Sequence, residues 1–354
     1  MLMEDEHTTN EPVRIAFQKR IPINATIELV TQCNLRCEHC YIPAHTNTGL
    51  PFKQITLILD QLHEMGTLYL LLTGGEIFLR PDIMEIIRYA RRKGLRVTLF
   101  SNATCVTEEQ IAELKELHIT QFSCTIFSMN PEIHDAITGV KGSLQKTLRT
   151  MALVKKYGIP GDVKNVIMRR NLADWKAVHE YAVENGFSHI APPNVVPKSN
   201  GDKSPLELAL NFEQTRDVWR QQEECGLKEP FQKGWNESDY ICKPLQNSIF
   251  IDCNGDLYPC ISLYYKFGNI LQQPLREIWN KSEKHRYILS LKKKDFSLCA
   301  ACDTKEYCSK CPGNALLEKG DFFKCSTLDK RLSTIAKEMY VVTEGSAGCP
   351  LLQT

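Results

Sequence analysis

The sequence predicts an α/β fold built on a parallel sheet, followed by a smaller module rich in cysteine. Between about residues 24 and 192, short β-branched runs alternate with amphipathic stretches of helical length. This order is typical of parallel strands joined by right-handed crossovers. From Cys242 onward the spacing between cysteines shortens, and we expect regular helices to be absent until about Thr327. The second region is therefore predicted to be held together by metal.

The repeating part contains six strand–helix units. Candidate strands are 25–30, 67–72, 95–100, 121–127, 162–167 and 188–191, and candidate helices between them are 52–65, 81–93, 107–117, 143–157 and 172–185. Six units suit either a partial β/α barrel or an open doubly wound sheet, and periodicity alone does not choose between them. The expected divisions are an N-terminal segment (1–23), the α/β core (24–210), a bridging helix and linker (211–241), the cysteine module (242–326) and a C-terminal helix and tail (327–354).

Composition excludes several classes of function. The 354 residues carry 43 basic and 42 acidic side chains, and a net charge of +1 provides no field that would favour nucleic acid. The longest apolar run, 68–72, is too short to cross a bilayer, and the polar N-terminus lacks a signal-peptide core. We therefore expect a cytoplasmic protein without a membrane partner. Fifteen cysteines in a reducing compartment point to metal binding rather than disulfides.

Three cysteines follow the first candidate strand with the spacing CxxxCxxC. Cys33, Cys37 and Cys40 could hold three irons of a [4Fe–4S] cube and leave the fourth iron without a protein ligand. The alternative is a zinc site that His39 or a distant residue completes. The end of the next strand carries the sequence GGE, formed by Gly74, Gly75 and Glu76. Paired glycines allow close approach of a ligand to the backbone, and a glutamate can accept hydrogen bonds from an ammonium group.

With GGE one strand after CxxxCxxC, residues 24–192 closely resemble the radical S-adenosylmethionine (SAM) superfamily. The resemblance implies a partial (β/α)6 TIM-like barrel whose [4Fe–4S] cluster cleaves SAM to methionine and a 5′-deoxyadenosyl radical. It implies cluster ligation by Cys33, Cys37 and Cys40, and binding of the methionine amino group by Gly74, Gly75 and Glu76. His39 stands where an aromatic residue is commoner, and its flat ring could lie beside adenine.

Polar residues at later strand ends are further candidates for binding SAM. We expect Asn102 and Thr125 to contact the ribose or the carboxylate. The alternative is that both are ordinary turn residues whose hydrogen bonds are satisfied locally.

The C-terminal cysteines resemble the SPASM extension of radical SAM proteins, in which seven cysteines hold two auxiliary [4Fe–4S] clusters. By motif position, the resemblance assigns the first auxiliary cluster to Cys242, Cys260 and Cys311, and the second to Cys299, Cys302, Cys308 and Cys325. Segments 249–252 and 256–258 would form the hairpin of that family. Two zinc sites are the alternative.

Two departures from the SPASM pattern concern the ligands. Only two residues separate Cys308 from Cys311, where three are common. The first auxiliary cluster also lacks an evident fourth cysteine: Cys253 is a candidate, and an open iron or a non-cysteine ligand is equally plausible. Outside both motifs lie Cys105, Cys124, Cys225 and Cys349. We expect most of these to be inert thiols, and Cys225 to be a candidate hydrogen-atom donor.

The resemblance implies hydrogen abstraction from unactivated carbon, with several possible outcomes. First is oxidative cross-linking of a ribosomally made peptide, and second is peptide epimerisation with Cys225 as donor. Third is sulfatase maturation to formylglycine, although Ile261 stands where that subgroup has an acid. Sugars and tetrapyrrole precursors remain possible substrates, and a zinc-binding interaction protein is the alternative outside enzymes.

Two protein partners are expected beside the substrate. About 24 residues precede the first strand, which is shorter than a leader-binding domain. Leader binding is therefore expected from a separate protein or another surface. Reduction of the clusters requires an external electron donor such as flavodoxin or ferredoxin.

Overall fold

One sheet of nine strands runs through the chain, which a computed structural model describes at residues 11–229, 231 and 234–344. The strands are β1 (Asn24–Glu28), β2 (Tyr69–Thr73), β3 (Arg96–Phe100), β4 (Gln121–Thr125), β5 (Gly161–Lys164), β6 (Ser188–Ile190), β7 (Ser248–Ile251), β8 (Asp256–Tyr258) and β9 (Gly268–Asn269). The helices are α1 (Glu11–Lys19), α2 (Phe52–Glu64), α3 (Ile83–Arg92), α4 (Glu108–Glu116), α5 (Pro131–Thr138), α6 (Ser143–Lys156), α7 (Trp175–Glu184), α8 (Phe212–Glu224), α9 (Leu275–Lys281), α10 (Glu283–Ser290), α11 (Ser297–Ala300), α12 (Pro312–Lys319) and α13 (Thr327–Glu344).

The strand order decides between the two predicted arrangements. The order is β6-β5-β4-β3-β2-β1-β7-β8-β9, and β1 to β5 each pair in parallel with the next strand in sequence. In a doubly wound sheet the strand order reverses at a switch point. Here each right-handed crossover leads to the next strand on the same side, which places the helices on one face of the sheet. The prediction of an α/β fold with a parallel, barrel-type sheet is therefore confirmed.

Apolar periodicity explains how helices cover this sheet. In α2 the buried side chains are Ile55, Ile58, Leu59 and Leu62, the spacing of one helical face. They pack with strand residues such as Leu72 into one buried core. This core fixes the strand ends in register, and polar side chains that follow the strands therefore meet at the carboxyl edge of the sheet.

Helix α5 was not predicted. It begins at Pro131 after Asn130, whose side chain accepts a hydrogen bond from the Glu132 N–H at 2.9 Å, and it ends at Gly139 in the left-handed region. With eight residues it is too short to be stable by itself, and buried Ile137 ties it to the rest of the fold. Tertiary packing, which periodicity does not reveal, therefore stabilises this helix.

The expectation that regular helices are absent between Cys242 and Thr327 is wrong, because α9, α10 and α12 lie there. The structure also divides into two compact units that do not follow the expected domain boundaries. The first unit comprises Met1–Ala209 and Lys243–Leu289, and the second comprises Leu210–Cys242 and Ser290–Thr354.

Residues 243–289 join the first unit because β7 extends its sheet. Strand β7 pairs in parallel with β1, from Asn24 opposite Ser248 to Ile27 opposite Ile251, and β8 returns antiparallel to β7. The predicted hairpin at 249–252 and 256–258 is therefore present. The indole N–H of Trp279 donates to the Arg20 carbonyl at 2.7 Å, which anchors the end of this segment.

The second unit is helical and has its own core. Trp219 of α8 packs with Tyr307 and with Ile335 and Ala336 of α13. The predicted helix at 211–225 corresponds to α8. This helix begins with a capping box formed by Asn211 and Gln214. The small core is accompanied by five cysteines between residues 299 and 325.

Parts of the expected terminal segments, 1–10 and 345–354, lie outside the described residues, as does Cys349. Within the described part of the chain, no helix is both long enough and apolar enough to cross a bilayer.

Candidate metal centres

The cysteines of the CxxxCxxC loop gather at the carboxyl edge of the sheet, directly after β1. Burial and the charges of Cys40 and Cys33 raise the pKa of Cys37 to about 12, which places the three thiols within electrostatic reach of one another. All three are partly exposed, and none of them forms a disulfide. Three adjacent thiols fit a metal cluster chemically, because a bound cationic group would relieve the mutual repulsion of their thiolates.

Helix α5 holds this loop from one side. The Arg36 N–H donates to the Thr138 carbonyl at 2.8 Å, and the Glu38 N–H donates to the Ile137 carbonyl at 3.0 Å. Helix α5 thus satisfies these two N–H groups of the loop, whereas the Leu35 N–H donates to the Cys33 sulfur at 3.4 Å. Within the described residues, no three His, Cys, Asp or Glu side chains converge closely enough to hold a single metal ion. A [4Fe–4S] cube does not require such convergence, because each thiolate binds a different iron.

The paired glycines hold the loop from the other side. The Gly75 N–H donates to the Val30 carbonyl and the Glu76 N–H donates to the Gln32 carbonyl, both at 2.8 Å. A Cβ atom on Gly75 would lie 2.3 Å from the Gln32 oxygen and 2.4 Å from the Thr31 oxygen. Glycine is therefore required here for contact with the segment that leads into Cys33, apart from any ligand.

Glu76 is fully buried, and protein donors surround its carboxylate. It accepts hydrogen bonds from the Phe78 N–H at 2.9 Å, the Ser101 hydroxyl at 2.8 Å and the Asn102 N–H at 2.7 Å. Burial raises the pKa of Glu76 in spite of these bonds. The structure thus uses Glu76 to join the ends of β2 and β3, and its contact with the SAM ammonium group stays a prediction.

Asn102 connects the end of β3 to the cysteine loop. Its side-chain NH2 donates to the Asn34 amide oxygen at 2.8 Å and lies 3.7 Å from the Cys33 sulfur. Its own oxygen accepts from the Thr104 hydroxyl at 2.6 Å. Asn34 in turn donates to the Cys105 sulfur at 3.2 Å. Asn102 therefore touches a predicted ligand, whereas its contact with SAM stays a prediction.

His39 and Thr125 occupy different surroundings. The His39 ring lies edge-on to Phe127 at 4.8 Å between centroids, and its buried Nδ1 has no hydrogen-bond partner in the described structure. Burial lowers the pKa of His39 to about 4, so that the ring is uncharged at neutral pH. Thr125 ends β4 opposite Lys164. The predicted contacts of both residues with SAM stay predictions.

Sequence reasoning missed His45 and Glu28. His45 Nε2 lies 3.4 Å from the Cys40 sulfur. Glu28 ends β1, is only 6% exposed and lies near Cys253. Burial and the charge of Asp252 raise the pKa of Glu28 to about 7. An acid between Ile27 and Leu29, inside an apolar run, was the available signal.

Cys253 and Cys260 lie toward opposite ends of the β7–β8 hairpin. Tyr258 pairs with Phe250, and Leu257 pairs with Ile251. The chain beyond Tyr258 therefore runs toward the start of β7, whereas Cys253 lies past the end of β7. Cys253 therefore lies in the turn between β7 and β8, and its ligation of a cluster together with Cys260 stays a prediction.

Four cysteines of the second unit lie close together. Burial, the charge of Asp329 and the charges of Cys325, Cys299 and Cys302 raise the pKa of Cys308 to about 12. These four are the predicted ligands of the second auxiliary cluster. The Lys330 ammonium group lies 3.6 Å from the Cys302 sulfur and could neutralise part of the thiolate charge.

The predicted ligands of the first auxiliary cluster are divided between the units. Cys260 belongs to the first unit, whereas Cys242 and Cys311 belong to the second. Their common ligation of a cluster stays a prediction. Cys225, the predicted hydrogen donor, is exposed at the end of α8, where its thiol donates to the Gln222 carbonyl at 3.5 Å.

Two family models match the regions that contain these cysteines. The Radical SAM superfamily model matches residues 27–182, and the SPASM model, an iron–sulfur cluster-binding domain, matches residues 242–312. The chain is 28% identical over 349 residues to the AdoMet-dependent heme synthase of Methanosarcina barkeri. The aligned region covers 89% of this chain and 95% of that protein. AdoMet is another abbreviation of SAM.

Peptide-related proteins are also similar. The chain is 26% identical over 311 residues to AlbA, a protein of antilisterial bacteriocin subtilosin biosynthesis in Bacillus subtilis, over 82% of this chain and 67% of that protein. The crystal structure of Streptococcus suis SuiB bound to its precursor peptide SuiA superposes with a TM-score of 0.70 at 16% identity, covering 93% of this chain and 84% of SuiB. This structural match shows a common fold.

Replacing Gly75 with alanine should displace the segment that leads into the cysteine loop. Because the new Cβ would collide with two backbone carbonyls, we expect the free energy of unfolding to fall by about 1–3 kcal/mol, measured by anaerobic urea denaturation. Gly234→Ala is the matched control, since a Cβ there meets nothing within 4 Å. Equal urea midpoints for the two variants would contradict this explanation.

Replacing Asn102 with alanine should make a cluster held by Cys33 harder to reduce. The N–H group 3.7 Å from sulfur stabilises the more negative reduced state. We expect the ratio of reduced to oxidised cluster at a fixed potential to fall by up to about tenfold, which equals 59 mV for one electron, measured by EPR titration. Asn185→Ala, which removes only contacts around α7 such as the 2.7 Å bond to Tyr181, is the control. An unchanged potential in Asn102→Ala contradicts this role.

Proposed function

We propose that this chain, a radical SAM enzyme with a SPASM domain, abstracts hydrogen from a peptide undergoing maturation. The iron–sulfur cluster, when bound, supplies the electron that cleaves SAM to methionine and a 5′-deoxyadenosyl radical. Cys33, Cys37 and Cys40 hold this cluster, and their position on one loop at the carboxyl edge of the sheet is the observation on which the proposal rests.

The contacts around the loop keep these thiols in place. Gly75 and Glu76 bind the backbone before Cys33, and α5 binds the backbone between Cys33 and Cys40. Asn102 donates toward the sulfur of Cys33. Backbone hydrogen bonds therefore hold the loop in place, while the Cys33 sulfur also accepts from the Leu35 N–H at 3.4 Å. Gly74, Gly75 and Glu76 are proposed to bind the methionine part of SAM, and His39, Asn102 and Thr125 its remaining polar groups or adenine.

The similarity to AlbA, a protein of bacteriocin biosynthesis, supports a peptide as the substrate class.

A tetrapyrrole is the second candidate substrate. One specific observation favours it: the similarity to heme synthase extends over 95% of that protein. The two classes differ in charge and size, which makes them easy to separate in an assay.

Two outcomes are open to the peptide radical. Loss of an electron would form a cross-link, and the auxiliary clusters of the SPASM domain, with ligands proposed at Cys299, Cys302, Cys308 and Cys325, support this outcome as electron acceptors. Return of a hydrogen atom would give epimerisation, for which Cys225, exposed at the end of α8, is the proposed donor. In both cases an external one-electron donor, such as flavodoxin or ferredoxin, and a separate leader-binding protein are the proposed partners.

The proposed function is tested by 5′-deoxyadenosine formation under anaerobic, reducing conditions. Mass spectrometry should detect more of this product when a precursor peptide encoded beside the gene is added, and the peptide should lose two hydrogen atoms if a cross-link forms. Cys37→Ala should abolish the product because it removes one of three ligands. Stimulation by an iron-bound tetrapyrrole carboxylate and by no peptide would contradict the proposed substrate.

A further inference from the structure

One face of the parallel sheet is polar where β4 and β5 lie side by side. Val163 of β5 belongs to the core that the helices cover, and Asp162 and Lys164, which alternate with it, therefore face the other side of the sheet. Parallel pairing sets Ser123 of β4 opposite Asp162 and Thr125 opposite Lys164. In a β/α barrel this side is the interior, and the active site lies at its carboxyl end. Lys164, the last residue of β5, is thus a charged group at the opening of the interior.

The ammonium group of Lys164 has a charged neighbour but no hydrogen-bond acceptor. Its nitrogen lies 3.4 Å from the centroid of the Phe100 ring and 3.8 Å from Oδ2 of Asp162, which is longer than a hydrogen bond. The Asp162 carboxylate instead accepts from the Ser123 hydroxyl at 2.5 Å and from the Ser188 hydroxyl at 3.2 Å. Within residues 11–229, 231 and 234–344, the Lys164 ammonium group donates no hydrogen bond to the protein.

An anionic ligand would complete the surroundings of this cation. The ammonium group has three N–H donors, and the Phe100 ring supplies cation–π attraction but no acceptor atom. Burial lowers the pKa of Lys164, because the charged form loses hydration. The side chain is nevertheless 28% exposed, so that a ligand in the interior can reach it. A carboxylate offers both the negative charge and the acceptor oxygens that this ammonium group lacks.

Lys164 lies close to the proposed SAM site but on a different strand. Phe100, over which its ammonium group lies, ends β3, and the next residue, Ser101, donates its hydroxyl hydrogen to Glu76 at 2.8 Å. The proposed methionine-binding sequence, Gly74 to Glu76, follows β2, which β3 and β4 separate from β5. A ligand held by Lys164 would therefore lie next to SAM, where a substrate has to lie to lose a hydrogen atom to the 5′-deoxyadenosyl radical.

We propose that Lys164 binds a carboxylate of the substrate in the interior of the barrel, and that Asp162 and Phe100 position its side chain. The inference rests on the proposed function and deepens it, because it names the chemical group by which the substrate is held. In a peptide this group is the C-terminal carboxylate or the side chain of an aspartate or glutamate. SAM is the other source of a carboxylate, and the strand order favours the substrate, since the methionine-binding sequence follows β2 rather than β5.

The experiment measures binding of the precursor peptide encoded beside the gene to the reconstituted full chain, by anaerobic equilibrium dialysis with SAM present. A neutral peptide of the same sequence has asparagine and glutamine in place of aspartate and glutamate, and an amidated C-terminus. The measured quantity is the ratio of the dissociation constant of the neutral peptide to that of the unmodified peptide, which partial unfolding does not change. We expect this ratio to fall about tenfold in Lys164→Met, because a hydrogen bond between charged groups is lost.

Matched variants separate this contact from general effects of charge and stability. Lys176→Met removes an exposed lysine of α7 that also lies over an aromatic ring, that of Trp175 at 5.8 Å, and should leave the ratio unchanged. Lys164→Arg keeps the positive charge and should keep most of the ratio. Lys164→Met combined with Asp162→Asn leaves no unpaired buried charge, and it should lower the ratio as Lys164→Met alone does.

Decarboxylated SAM tests the source of the carboxylate, because Lys164→Met should change the binding of SAM and of decarboxylated SAM by the same factor. A loss specific to SAM would assign Lys164 to SAM and overturn the inference, as would an unchanged peptide ratio in both Lys164→Met variants. Failure of the proposed function is a separate result, in which an iron-bound tetrapyrrole carboxylate binds and the peptide does not. Comparing that compound with its methyl ester then tests Lys164 in the same way: a ratio that falls in Lys164→Met supports the inference, and an unchanged ratio overturns it.

Discussion

The contact between the paired glycines and the backbone before Cys33 is the constraint on which the site depends. Two hydrogen bonds of 2.8 Å join Gly75 and Glu76 to Val30 and Gln32, and no side chain larger than that of glycine fits between Gly75 and this backbone. The CxxxCxxC loop and the GGE sequence therefore form one structural unit rather than two separate binding motifs. Glu76 extends this unit to β3 by its bonds to Ser101 and Asn102.

A network of neutral hydrogen bonds continues from this contact toward the thiols. Asn102 reaches Cys33, and Asn34 links Asn102 with Cys105. Donors near a cluster thiolate stabilise its reduced form, whereas nearby carboxylates oppose reduction. The acid at this edge, Glu28, lies within electrostatic reach of both Cys40 and Cys253.

Local patterns predicted most of the fold and the three thiols of the loop, since strand–helix alternation and cysteine spacing are properties of neighbouring residues. They did not predict α5, whose stability comes from packing of Ile137, nor the membership of 243–289 in the first unit, which depends on pairing of β7 with β1. Sequence spacing also does not reveal that the hairpin register places Cys253 in the turn between β7 and β8. Glu28 was overlooked because its partner lies more than 200 residues away in sequence.

The central claim is that three thiolates leave one iron free to bind the amino group of SAM. Electron–nuclear double resonance on the reduced protein, with SAM carrying nitrogen-15 in its amino group, tests this claim directly. The account predicts a magnetic coupling between the nitrogen and the cluster that disappears in Cys37→Ala. A reduced cluster in the unsubstituted protein that shows no coupling to the labelled nitrogen, although SAM is bound, would contradict it.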